Sequence, residues 1–194
     1  MISVEAKLWM QKDNLEAVPY MCGHCNRFVS STHGINNIGA PARVRICPNC
    51  GRSTYIEPEL QVPGPAFGDD IDYLNEHVHS LYNEARRSLS VNSFTASVLC
   101  CRKLLMNTSV SKGASEGESF VYYIDFLLRN NYITPDIKDC IDHIRQLGNQ
   151  ATHEIKLMTR QDAELLIRFT EHLLRHIFEL PGRIKNLQPV ATQP

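Results

Sequence analysis

Two Cys-x-x-Cys pairs, Cys22-Gly-His-Cys25 and Cys47-Pro-Asn-Cys50, constrain this chain more than any other feature. A two-residue spacer lets both sulfurs of a pair point to one side of a tight turn, and four thiolates satisfy a metal ion tetrahedrally. The pairs stand 21 residues apart. Short strand-like runs flank them: RFVS follows the first pair, ARVRI precedes the second and STYIE follows it. Asn26 and Gly51 occupy matching places just after each pair, and both residue types can take the left-handed backbone that ends such a turn.

Residues 20–57 therefore resemble a zinc ribbon, with Cys22, Cys25, Cys47 and Cys50 as ligands of one structural Zn²⁺ per chain. A closed set of four thiolates leaves no open position for water. Such a metal contributes folding free energy on the order of 10 kcal/mol to a module too small to hold a core of its own. His24, between two ligands, is expected exposed rather than coordinating. Arg27, Arg43, Arg45 and Arg52 decorate the same segment, where they either meet phosphates or form solvated surface. Cys100 and Cys101 fall in an apolar helical run and Cys140 on another helix's apolar stripe, where cysteine behaves as a small hydrophobe.

The first residues, MISVEAKLWMQKDN, lack the pattern of a signal peptide, and no apolar stretch reaches the ~18–20 residues of a membrane span. The expectation is a cytoplasmic protein with no membrane partner, where paired cysteines serve as metal ligands and not as disulfides. Net charge is −1 over 194 residues. Residues 1–56 hold six Lys or Arg against three Asp or Glu, and residues 57–194 hold 14 against 18. The balance is thus +3 before residue 57 and −4 after it, a small asymmetry.

Residues 1–57 read as the ribbon with an N-terminal extension, and residues 58–68, PELQVPGPAFG, as a linker with too many prolines and glycines for a helix or central strand. From Asp69 the apolar period becomes helical. Ile71, Leu74, Val78, Leu81, Tyr82, Ala85 and Leu89 outline a first helix with Asp69 or Asp70 as N-cap. FTASVLCCRKLLM, after Ser93, is apolar on most sides and reads as a central helix. Phe120, Ile124, Leu127 and Leu128 mark a third helix, and Thr134-Pro135 starts a fourth with the stripe Ile137, Cys140, Ile141, Ile144, Leu147 and Ala151. A fifth begins at Thr159 with Asp162 in capping-box position and ends at Pro181-Gly182, leaving residues 183–194 as a frayed tail. The fold class expected is mainly α, a five-helix bundle over 69–182 preceded by a small β ribbon.

On the fourth helix Arg145, Asn149 and His153 rise four apart as a polar ridge, and Gly148 interrupts the helix. The arginine of CCRKLL, the string IRQLGNQATH and the run TRQDAELLIRFTEHLLRHIFEL together resemble the domain of unknown function family 4145, over residues 69–181. That family resembles more distantly the HEPN helical domains, many of them metal-independent RNases or nucleic-acid-binding modules of defence systems. The resemblance implies a homodimer and, in active members, an arginine before a polar residue and a histidine. Here Gly148 stands in the arginine's place, so Arg145 or Arg102 would have to supply the guanidinium beside Asn149 and His153.

Three readings remain open. The first is a non-catalytic nucleic-acid-binding or adaptor protein, RNA or DNA or a protein being the partner, in a bacterial defence or restriction setting. The second is a metal-independent ribonuclease using His153, Asn149, Arg145 and Arg102. The third is a structural dimerisation module in which Asn149 and His153 merely satisfy a helix end. No Gly-rich phosphate loop and no Ser-His-Asp arrangement is present, and His172 with His176, four apart, lack a matched third ligand in sequence.

Overall fold

The computed structural model describes residues 9–12, 15–134, 141–147 and 157–187. The chain divides into two compact units, Met1–Ala66 and Phe67–Pro194. About half of it is helical, and the antiparallel sheets are confined to the first unit.

In that first unit β1 (Trp9–Lys12), β4 (Gly34–Asn37), β5 (Arg43–Ile46), β6 (Ser53–Glu57) and β7 (Leu60–Val62) form one sheet in the order β1-β4-β5-β6-β7. The hairpin of β2 (Val18–Met21) and β3 (Phe28–Ser31) forms a second. The three strand-like runs of the sequence become β3, β5 and β6. Strand β4, GINN, carries too little apolar alternation to announce itself. Strand β7 lies within the stretch whose composition suggests a linker. It escapes the proline argument by being an edge strand of three residues that stops before Pro63. Strands this short enclose little, and the buried apolar cluster is Val18 and Tyr20 with Cys22 and Cys47. Apolar burial on this scale leaves a unit of this size only marginally stable.

The second unit is helical: α1 (Glu76–Ser90), α2 (Phe94–Ser111), α3 (Phe120–Arg129), α4 (141–147), α5 (Arg160–Leu174) and α6 (Leu180–Leu187), with one π-helical turn at Arg175–Glu179. Helix α2 is central, packing against α1, α3 and α5. It buries Val98, Cys101, Leu104 and Leu105 together with Ser97, Thr108 and Ser109. The hydroxyls of Ser97 and Ser109 donate to the Ala85 and Leu105 carbonyls, which is how a helix polar on one side can still be buried. Ile141, Ile144 and Leu147 of α4 are buried as their stripe predicts. Thr134, the expected cap of the fourth helix, is exposed and non-helical, while Pro135, the stripe members Ile137, Cys140 and Ala151, and residues Gly148, Asn149 and His153 lie outside the described residues.

Two boundaries differ from expectation, each for a physical reason. Helix α1 is capped by Asn75, whose side chain accepts from the Val78 N–H at 2.9 Å, and not by Asp69 or Asp70. Tyr73 has a left-handed backbone, φ 62°, which interrupts any helix begun earlier. At the other end the chain stays helical through Pro181-Gly182 to Leu187. The Leu180 N–H bonds Arg175 O, five residues back. This wider turn immediately precedes a proline that has no N–H to give. Gly182 is required by packing, since a Cβ there would lie 2.4 Å from Cγ of Tyr73.

That C-terminal helix is tied to the segment leading into α1. Arg175 reaches Asp69 at 3.2 Å, Arg183 reaches Asp72 at 3.0 Å and the Asn186 amide donates to Tyr73 Oη at 2.8 Å. Glu171, Arg175, Glu179 and Arg183 form a ladder of ion pairs at four-residue steps, with both glutamates buried. Hydrogen bonding from Arg183 holds the Glu179 carboxyl below its usual range, against the opposing effect of burial and with help from the Arg175 charge.

Candidate metal centre

The two cysteine pairs fold into matching turns. The Cys22 N–H donates to Arg27 O and the Asn26 N–H to Cys22 O, at 2.9 and 2.8 Å. In the second turn the Cys47 N–H donates to Arg52 O and the Gly51 N–H to Cys47 O, both at 2.9 Å. Asn26 (φ 51°) and Gly51 (φ 71°) supply the left-handed residue in each, as the sequence predicts. Both turns therefore read Cys-x-x-Cys-x-Arg and are related by an approximate twofold repeat.

Facing each other, the turns bring all four Sγ atoms within 4.8 Å of one another. Cys22 lies 3.8 Å from Cys50, and Cys25 lies 3.8 Å from Cys47. A tetrahedron with metal–sulfur bonds of about 2.3 Å has edges of about 3.8 Å, so the donor set fits a four-coordinate thiophilic ion. All four ligands come from this chain. Burial pushes the Cys22 thiol up to about 12. Cys25 feels burial too, but hydrogen bonds from the Asn49 side chain and the Arg27 amide outweigh it and bring the thiol down to about 7.

Around the sulfurs stands a shell that spacing alone did not reveal. Arg27 Nη1 donates to Asn49 Oδ1 at 3.1 Å, and the Asn49 side chain in turn bonds Cys25, so the two turns hold each other in place. His24 is exposed and its Nε2 meets Ser53 O at 3.0 Å, in keeping with the expectation that it is no ligand. The Gln61 amide donates to Met21 O and Pro63 O, drawing the end of the unit against the first turn. Gly23 permits this approach: a Cβ on it would lie 2.3 Å from Gly64 O and 2.5 Å from Pro63 O. The signal that could have found Arg27 and Asn49 is the repeat itself, which equates Arg27 with Arg52 and Asn49 with His24.

The arginines of the unit do not share one role. Arg45 is 1% exposed, not surface decoration as its segment suggested. Its Nη1 donates to Val44 O at 3.1 Å and Ile35 O at 3.4 Å, and burial together with the charge of Arg43 weakens its hold on its proton. Arg27 and Arg52 are exposed, and Arg43 is half-buried. Residues 17–56 contain four arginines and two histidines but no Asp or Glu.

In the helical unit the predicted site residues are dispersed over internal contacts. Arg145 pairs with Asp125 of α3 and Asp142 of α4. Arg102 lies over the Phe120 ring, 4.6 Å from its centroid, and burial lowers its proton affinity. Asn149 and His153 lie outside the described residues. His172 and His176 are exposed on the wall of a cleft of about 430 Å³ with Tyr132, Phe169 and Leu180. Among the described residues the four cysteines are the one group of three or more side chains able to hold a metal ion. Cys101 is fully buried in α2, and burial pushes its thiol up to about 12, as befits a packing residue.

Comparison with known proteins places the helical part. A family model described as domain of unknown function (DUF4145) matches residues 83–189, more than half of the chain. The match begins inside α1 and takes in α6. No curated protein and no solved structure matches the chain.

Proposed function

The chain belongs to the family described as domain of unknown function (DUF4145), and on that premise we propose that it is a non-catalytic nucleic-acid-binding or adaptor protein whose N-terminal unit is a zinc ribbon. The observation that carries this reading is the four-sulfur cluster enclosed by a segment, residues 17–56, with arginines and no carboxylates. A tetrathiolate site with every position filled by protein serves structure and not Lewis-acid chemistry. Zinc suits four thiolates at tetrahedral edges and needs no redox partner. Basic side chains held on a rigid small module are suited to phosphate oxygens.

The pairing of Arg145 weighs against catalysis. Its guanidinium is engaged by Asp125 and Asp142, which neutralise the charge that a cleaved phosphodiester would need. The HEPN-like character of the bundle, the homodimer, the cytoplasmic location and a bacterial defence or restriction setting extend this reading from the family resemblance. The purified full chain should carry one zinc per chain and bind fluorescein-labelled oligonucleotides with affinity that falls steeply with salt. It should leave a labelled RNA intact in the presence of chelator. Iron in place of zinc would overturn the metal's identity. Absence of salt-dependent binding would overturn the nucleic-acid reading, and RNA cleavage abolished by His153→Ala in a folded protein would establish the ribonuclease instead.

A further inference from the structure

We propose that the cysteine-turn end of the ribbon is a platform for single-stranded nucleic acid, on which Phe28 stacks an unpaired base while Arg27 and Arg52 hold phosphates. This rests on the nucleic-acid reading above and gives it a site and a strand preference. Phe28 is 71% exposed, whereas Tyr20 of the paired strand is 5% exposed. Leaving a phenylalanine in water forgoes the burial that ordinarily stabilises one, and its exposed ring offers a flat apolar face on which a base can stack.

The position follows from the strand geometry. In β3 the side chains alternate, with Phe28 and Ser30 outward and Ser31 inward. Phe28 pairs in register with Met21, next to the ligand Cys22, so its backbone is held at the root of the first cysteine turn. Arg27, its neighbour, accepts the Cys22 N–H through its carbonyl and spends one guanidinium contact on Asn49. A guanidinium carries five N–H donors, so others remain for a phosphate. Arg52 occupies the equivalent place in the second turn and is exposed. Glu16 and Glu57 flank residues 17–56, and among the described residues no ion pair joins Arg27 or Arg52 to a carboxylate.

Strand preference is a matter of π-faces. In a duplex every base face is already covered by its neighbours, while an unpaired base can stack on an aromatic ring irrespective of its identity. The ring therefore selects for single strands and the arginines for the backbone.

The test uses the full zinc-loaded chain with a fluorescein-labelled dodecamer of deoxythymidine, the matching oligouridine, and a blunt duplex of equal length, followed by anisotropy. Expected are tighter binding of the single strands than of the duplex and, for Phe28→Ala, a loss of roughly tenfold or more on single strands alone. Phe28→Tyr should restore binding and Phe28→Leu should not, which separates stacking from apolar docking. Arg52→Ala should reduce the slope of log affinity against log salt by about 0.7. Zinc content is measured for each variant, and a variant holding less than one zinc per chain is replaced by Phe28→Ser at the same position. If the wild type binds none of the probes, the nucleic-acid reading falls and this proposal with it. If it binds them with steep salt dependence but duplex equals single strand, or Phe28→Leu binds as well as wild type, the platform alone is overturned.

Discussion

At the scale of single residues, the cysteine turns show what a sequence can and cannot declare. Their four ligands and two left-handed positions follow from spacing, because a Cys-x-x-Cys turn admits few backbone solutions. The burial of Arg45 does not, since nothing in a four-residue strand distinguishes an inward arginine from an outward one until its partner strands are in place. Two substitutions separate backbone conformation from packing. Gly51→Asn should be tolerated within about 0.5 kcal/mol in chelator-competition measurements, because a Cβ there meets nothing within 4 Å and Asn26 already takes the same conformation in the other turn. Gly23→Ala should be costly, on the order of 1–3 kcal/mol by analogy with overpacked sites, because its Cβ would strike backbone carbonyls that no side-chain rotation can relieve. Equal metal affinity for wild type and Gly23→Ala would show that the end of the unit does not hold the first turn.

Elements reveal a second kind of legibility. The capping box at the start of α5 was readable: Thr159 accepts from the Asp162 N–H and Asp162 accepts from the Thr159 N–H. Thr159→Ala should cost about 1 kcal/mol and lower Tm by a few degrees. The end of the same helix was not readable, because proline and glycine usually stop a helix and here a π-helical turn and the Tyr73 ring give them other work. Strands β1, β2, β4 and β7 stay silent for a related reason: WMQK and GINN have little apolar alternation, VPYM holds a proline and LQV sits among prolines. The ion-pair ladder makes a pH prediction. Because the Glu179 carboxyl titrates below its unfolded value near 4.3, its contribution is present above that value and lost as pH falls through the lower, folded one. Glu179→Gln should therefore be less stable than wild type at pH 7, with the difference shrinking to nothing once acid has protonated the wild-type carboxylate. A difference that persists unchanged at pH 3 would place the effect in packing instead.

The whole molecule joins a small unit built around a four-cysteine cluster that could hold a metal to one with an extensive apolar core of its own. Cys47→Ser should abolish stoichiometric metal binding and unfold the ribbon, while far-UV circular dichroism at 222 nm retains most of the helical signal. Loss of the helical signal along with the metal would mean that the helices depend on the ribbon. The helical unit has its own peculiarity, the stitching of Asp69, Asp72 and Tyr73 to Arg175, Arg183 and Asn186. It makes the unit topologically a closed loop: its first and last segments are neighbours, so damage at one end is felt at the other. Removing everything after Glu179 would free Asp72 and Tyr73 from Arg183 and Asn186, more than a hundred residues away in the chain, while Asp69 stays on Arg175, and proteases should cut first around Tyr73. Conversely, a short bridge from the end of α6 to Asp69, with a new opening in the Gly-rich loop at 112–117, should give a circular permutant that still folds.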